Sequence, residues 1–136
     1  MATDEASFKL EFKKDVQNYL SNVLIWSASD RFTSGLPDFF ILAAGRLVAI
    51  EAKFTKTLPK KKTSLVLSHE VSPAQKSFLD RVKSSGGVGL VVVGTPQAAA
   101  VFDRIQNNYT LEECLAAPRF THNKCWQLGG FSDFWK

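Results

Sequence analysis

Cysteine is scarce in this sequence, with only Cys114 and Cys125 among 136 residues. Two thiols cannot build the disulfide framework of a small secreted domain. His122 lies near Cys125, but the chain has no CxxC pair, and a structural zinc site needs four well-spaced ligands. We therefore expect reduced thiols, buried or without a role in chemistry, rather than a zinc centre.

Long apolar runs are also missing, since no stretch approaches the roughly 18 residues of a membrane-spanning helix. Residues 1–5 lack the basic and apolar regions of a signal peptide. We expect an intracellular protein, in the cytoplasm or nucleoid, with no membrane partner. The length fits a single domain over 1–136, with a core at about 5–95 and an aromatic extension at about 104–136.

Acidic residues are fewer than basic ones, and the net charge is +4. Part of the excess lies in a run of lysines that contains no acid and is interrupted by Pro59. The run consists of Lys53, Lys56, Lys60, Lys61 and Lys62. A solvated, mobile loop explains such a run in isolation. Beside a site built from acids, it is better explained as a contact with a phosphate backbone.

Two apolar runs, 35–42 and 46–53, flank a turn that contains Gly45. This pattern predicts two antiparallel strands. A two-residue loop would place Asp38 opposite Glu51, whereas a three-residue loop would place it opposite Ile50. The register therefore decides whether the two acids meet.

In the first register, Lys53 leaves its strand on the same face as Glu51. Two carboxylates and an ammonium then converge where packing alone would favour apolar side chains. A bound divalent cation would remove the repulsion between Asp38 and Glu51. The hairpin thus favours a metal-dependent hydrolytic site.

Apolar residues at helical spacing predict an amphipathic helix over 4–23, capped by Thr3 or Asp4. Glu11 adjoins its buried stripe. It is either an exposed acid that pairs with Lys14 or a third carboxylate that reaches the metal site.

The segment 72–75, Ser-Pro-Ala-Gln, predicts the start of a second helix that ends at Gly86-Gly87. Ser72 suits the N-cap, and Gln75 falls at the third helical position of a capping box. Gln75 also points towards the core side, where its amide could hold a water or a phosphate.

The remaining chain is less decisive. A strand is expected from residue 22, a buried strand at 89–94 and a short helix at 110–116, whereas 98–102 is either a strand or a short helix. Arg31 precedes the hairpin and either meets a phosphate or pairs with Asp30. The aromatic tail packs on the core, builds a dimer interface or stacks on unpaired bases.

The segments 35–38 (Gly-Leu-Pro-Asp), 51–53 (Glu-Ala-Lys) and 72–75 together resemble the PD-(D/E)xK nuclease superfamily. Within it, the likeness is greatest to stand-alone VRR-NUC domains and Holliday-junction resolvases. It spans about residues 5–95, with Glu11 at the position of the family's helix acid. The resemblance implies an α/β fold with a restriction-endonuclease-like αβββαβ core, in which helices flank a mixed central sheet.

The same resemblance implies a site that binds Mg²⁺ or Mn²⁺ and hydrolyses DNA phosphodiesters. Asp38, Glu51 and the Ala52 carbonyl would ligate the metal, with Glu11 as a further candidate. Lys53 would orient the attacking water, and Gln75 would position Lys53, water or phosphate. The DNA contacts expected outside the site are Arg31, Lys56, Lys60, Lys61 and Lys62.

The leading functional hypothesis is a structure-selective endonuclease for branched DNA, such as a Holliday-junction resolvase, and the resemblance implies a homodimer. A restriction, nicking or DNA-end nuclease would use the same site. The alternative from a different class is a nucleic-acid-binding module without catalysis. The intact set of Asp38, Glu51 and Lys53 favours an enzyme.

Overall fold

The computed structural model describes residues 4–20, 22–28, 35–96, 98–121 and 132–135. The helices are α1 (Glu5–Tyr19), α2 (Pro73–Ser84) and α3 (Leu111–Ala116), and Ser132–Trp135 forms a 3-10 helix. The strands are β1 (Val23–Ser27), β2 (Phe39–Ala43), β3 (Arg46–Phe54), β4 (Val88–Gly94), β5 (Ala98–Phe102) and β6 (Arg119–Thr121). None of the described helices has both the length and the apolarity needed to cross a bilayer.

The six strands form one sheet in the order of the sequence, β1 to β6. β3 and β4 pair in parallel through α2, and every other neighbouring pair is antiparallel. One apolar cluster packs between the sheet and α1, and a second packs beneath α2 and α3. This arrangement confirms the predicted αβββαβ core with a mixed sheet flanked by helices.

α1 packs on the sheet through Phe8, Phe12 and Val16, which are almost fully buried. The ring of Phe12 stacks on Phe39 of β2 at a centroid distance of 5.4 Å. Asp4 caps the helix as predicted. The predicted end at residue 23 is wrong, because the chain is already extended at Leu20 and Val23 begins β1. Apolar spacing continues through this boundary because both elements face the same core.

The hairpin turn consists of Ala44 and Gly45, which both have positive φ, 51° and 76°. Two such residues in sequence form the tight turn that matches the twist of antiparallel strands. The register pairs Leu42 with Leu47 and Phe39 with Ile50. This pairing confirms the two-residue loop, one of the two registers that the sequence leaves open. The regular ladder ends at Phe39, one residue before Asp38.

Gly35 brings the start of the hairpin against the start of α2. Its φ is +76°, and a Cβ placed there would lie 2.4 Å from the backbone carbonyl of Ala74. No side chain fits at that distance from rigid backbone. The glycine therefore lets the segment before Asp38 contact the helix turn that carries Gln75.

Several smaller predictions can be compared with the structure. Ser72 and Thr110 cap α2 and α3 with capping boxes, as expected. Residues 98–102 form a strand, and the short β6 was not predicted. The lysine loop is irregular, but its end is held, because Lys62 O accepts a hydrogen bond from Glu112 N.

The aromatic tail is described only in part. Trp135 is 5% exposed and joins the cluster under α1, with Phe134 packed beside it. This contact confirms the expected packing on the core for these two residues. Cys114 is buried without a disulfide partner among the described residues, and burial raises the pKa of its thiol to about 11. Cys125 lies outside the described residues.

Substitution of Gly35 by alanine should destabilise the protein by about 2–4 kcal/mol, because it adds both a strained φ and a clash with α2. Gly45→Ala is the matched control. Gly45 has the same φ, but a Cβ there meets open space, so Gly45→Ala should lower the free energy of unfolding by only about 1 kcal/mol. Urea unfolding measures both variants. Equal losses would show that Gly35 does not need close approach to α2.

Candidate metal site

Asp38 sits where β2 begins and where its pairing with β3 changes. Its backbone N–H donates to Ile50 O, one residue out of the ladder register, as in a β-bulge. Its Oδ2 accepts a hydrogen bond from the Ala52 N–H at 2.8 Å, so the carboxylate satisfies a backbone donor of β3 beyond the end of the ladder. Its Oδ1 lies 2.8 Å from Lys9 Nζ. The bulge therefore aims the carboxylate along the sheet edge, between the two faces.

Glu51 is the only buried carboxylate among the described residues, with 1% of its surface exposed. Its Oε2 accepts a hydrogen bond from Gln75 Nε2 at 3.0 Å and lies 3.5 Å from Lys53 Nζ. Its Oε1 is buried and has no hydrogen-bond partner among the described residues. A buried acceptor without a partner costs about 1–3 kcal/mol, so this oxygen is a strong candidate for a ligand contact.

Burial, and then the negative charge of Asp38, raise the pKa of Glu51 to about 8. The positive charges of Lys53 and Lys9 act in the opposite direction without cancelling this rise. In the absence of a cation, the pair therefore holds a proton at neutral pH.

These two acids fit a hard divalent cation. Such ions take carboxylate oxygens and keep several waters, so two carboxylates are enough to anchor one. The unsatisfied Oε1 of Glu51 and the raised pKa of its carboxyl group both indicate that a positive charge at this position would stabilise the ionised form. Metal binding there would displace the proton. The contribution of the Ala52 carbonyl stays a prediction.

Of the predicted site residues, the structure brings together Asp38, Glu51, Lys53 and Gln75. Gln75 is the capping-box residue that the sequence predicts, because its Oε1 accepts the Ser72 N–H. Its Nε2 donates to Glu51, a contact that was not predicted, and its expected contact with Lys53, water or phosphate stays a prediction. No cluster of three acids, cysteines or histidines occurs among the described residues. The role of Glu11 stays a prediction.

Sequence reasoning missed Lys9, which reaches Asp38 from α1 and also lies 3.4 Å from Glu5 Oε2. The helical spacing of the apolar residues could have indicated the position of Lys9. Lys9 adjoins buried Phe8, so it must leave the helix close to the sheet. Nothing in the sequence shows that its ammonium reaches β2, because that contact depends on how α1 crosses the sheet.

The residues predicted to contact DNA outside the site are Lys56, the lysines at 60–62 and Arg31. Lys56 follows β3 two residues after Phe54 and is exposed. The three lysines at 60–62 are also exposed, on the loop that continues from it. Arg31 lies outside the described residues. Their roles therefore stay predictions.

An exposed apolar surface lies on the same sheet face as Glu51, which we call the open sheet face. It is formed by β1, β2 and the first part of β3, beyond the edge of α2. Its exposed residues are Leu24, Trp26, Leu42 and Leu47, and the partly buried Phe40 lies between them and α2. At its far end, a cavity of about 460 Å³ lies between the hairpin turn and the end of α2. Apolar patches of this kind mark interaction surfaces.

No family model and no curated protein matches the chain. Among solved structures, the fold is similar to that of Hjc, a Holliday junction resolvase from the archaeal hyperthermophile Archaeoglobus fulgidus. The TM-score is 0.54 at 16% sequence identity, over 81% of this chain and 93% of that chain. At this identity the likeness shows a shared α/β fold and transfers no residue's role.

The raised pKa of Glu51 predicts how the metal-free protein responds to pH. Between about 4.5 and about 8, the folded state keeps a proton that the unfolded chain releases. The contribution of Glu51 to the free energy of unfolding therefore falls as pH rises, by up to about 1.4 kcal/mol per pH unit, and is constant above this range.

Glu51→Gln removes the titrating group and should remove this fall. Urea unfolding in chelator at several pH values between 5 and 8 measures the difference between the two proteins. Parallel pH profiles would show that Glu51 does not hold a proton in the folded state.

Proposed function

We propose that this protein is a metal-dependent, structure-selective endodeoxyribonuclease that hydrolyses phosphodiesters in branched DNA, such as four-way junctions. The observation that carries the proposal is the buried Glu51, which has an unsatisfied oxygen and lies beside Asp38 and Lys53. The shared fold with a junction resolvase supports the nuclease class. Branched DNA is the finer part of the proposal.

The residues of the site divide the work. Asp38 and Glu51 hold Mg²⁺ or Mn²⁺, which when bound supplies Lewis acidity and activates a water. Lys53, held 3.5 Å from Glu51, orients the attacking water and offsets the charge that develops on the phosphate. Gln75 fixes the Glu51 carboxylate from the first turn of α2. Glu11 is retained as an assisting acid and the Ala52 carbonyl as a further ligand.

DNA binding is assigned to the lysine loop and to Arg31. Lys56, Lys60, Lys61 and Lys62 are exposed on a segment that starts directly after the strand of Glu51 and Lys53. Exposed ammonium groups beside a site for phosphodiesters suit phosphate contacts, and each contact would add about 0.9 to the salt slope of binding. Replacing Lys60, Lys61 and Lys62 by alanine therefore gives a binding-deficient variant for comparison.

A homodimer completes the proposal, since two sites are needed to nick a symmetric junction on opposite strands. The open sheet face is the surface proposed for the contact between copies. Leu24 and Leu42 lie side by side on it, 60% and 44% exposed, and Leu47 continues the row. A two-fold axis through this face would bury the same apolar residues from both copies.

Cleavage should require Asp38 and Lys53, whereas DNA binding should not. With Mg²⁺, the wild type should place paired, symmetric nicks in a four-way junction and leave linear duplex intact. Asp38→Asn and Lys53→Ala should bind the junction but cut it at least about 100-fold more slowly. The lysine-loop variant should show weaker binding with a flatter salt dependence. Gel assays with linear duplex, single strand, flap and junction DNA, with metal or chelator, measure these properties.

Cleavage of plain duplex would replace junction selectivity with a restriction, nicking or end-directed activity. Tight binding without any cleavage, unchanged in Asp38→Asn, would identify a binding module and contradict the enzyme.

Charge on the open sheet face should dissociate the dimer. Leu24→Asp with Leu42→Asp should shift the protein to a monomer at micromolar concentration, since both side chains would be buried only in the assembly. Leu10→Asp is the matched control, because Leu10 is similarly exposed, at 56%, but lies on α1. Light scattering measures the mass of each protein. A monomeric wild type, or a double variant that stays dimeric, would contradict the proposed surface.

A further inference from the structure

Lys9 reaches the site from α1, on the side of the sheet opposite to Glu51. Its ammonium lies 2.8 Å from Asp38 Oδ1, and the two side chains are only 29% and 20% exposed. Glu5, one helical turn earlier, lies 3.4 Å from the same ammonium. The three charges form a chain from α1 to the sheet edge.

The position of Lys9 is fixed by its neighbour Phe8. The Phe8 ring packs on Phe54 at a centroid distance of 5.6 Å and occupies the space that a Cβ on Gly94 would need. Phe8 is 1% exposed, so this turn of α1 has little freedom to move on the sheet. The lysine therefore starts from a rigid point, and its ammonium reaches Asp38 without any rearrangement of the helix.

The two oxygens of Asp38 are not equivalent. Oδ2 is committed to the Ala52 N–H, which keeps the carboxylate in line with β3. Oδ1 is the oxygen left for a cation, and the Lys9 ammonium already holds it. A positive side chain and a metal ion would therefore compete for one ligand atom.

We propose that Lys9 is a built-in counter-ion. It holds Asp38 in the metal-free protein and lowers the affinity of the site for a divalent cation, which must displace its ammonium from Oδ1. Lys9 is thus a positioning residue that determines how high the metal concentration must be for the site to be filled. This inference rests on the proposed metal site, and the experiment below separates the two.

The test is the affinity of the full chain for Mn²⁺, measured by titration calorimetry at fixed ionic strength. Lys9→Met should bind Mn²⁺ about fivefold more tightly than the wild type, because a partly exposed ion pair no longer opposes binding. Lys9→Gln should show a similar gain, and Lys9→Arg, which keeps the charge, should stay near the wild type.

Lys13→Met is the matched control. Lys13 lies one turn further along α1 and donates to Ser27 Oγ, so its loss removes the same charge without freeing Asp38. Its Mn²⁺ affinity should change less than twofold. In chelator, Lys9→Met should also melt at a lower temperature than Lys13→Met, and Mn²⁺ should raise its melting temperature by more.

Two results would overturn the inference in different ways. Unchanged or weaker Mn²⁺ binding by Lys9→Met and Lys9→Gln, with normal binding by the wild type, would reject the counter-ion and leave the metal site intact. No Mn²⁺ binding by the wild type would reject the metal site and the proposed function together with it.

Discussion

Two carboxyl groups, on Asp38 and Glu51, share a volume that is too small and too poorly solvated for both to be ionised without positive charge beside them. The burial of Glu51 and the repulsion from Asp38 raise the pKa of Glu51 to about 8. The Oε1 atom of Glu51, which has no hydrogen-bond partner among the described residues, shows where a positive charge would fit. Lys9 and Lys53 relieve the repulsion only in part. Such an arrangement weakens the fold, so it is best explained by a ligand that supplies the missing charge.

The fold brings this conflict about through three local devices. The tight turn at Ala44-Gly45 sets the register of the hairpin, whose ladder ends beside the two acids. Gly35 allows the start of the hairpin to touch α2, and the capping box of α2 presents Gln75 to Glu51. Each device is short in sequence, and together they join the hairpin and the helix into one site.

The sequence predicted these devices unevenly. The hairpin and the capping box followed from local chemistry, because turn residues and caps act within a few positions of one another, but the sequence left two hairpin registers open. The bulge at Asp38 and the reach of Lys9 did not, since they depend on how α1 and β3 approach from distant parts of the chain. The helix α1 was predicted to end too late because the apolar residues at its end continue into β1, and both elements pack on the same core.

The central claim is that Asp38 and Glu51 hold one cation between them. An anomalous-difference map from a crystal grown with Mn²⁺ tests it most directly. The account predicts a single strong peak within about 2.5 Å of a carboxylate oxygen of each acid, with the Lys9 ammonium moved away from Asp38. A peak elsewhere, or no peak at a saturating concentration with the Lys9–Asp38 contact retained, would contradict it.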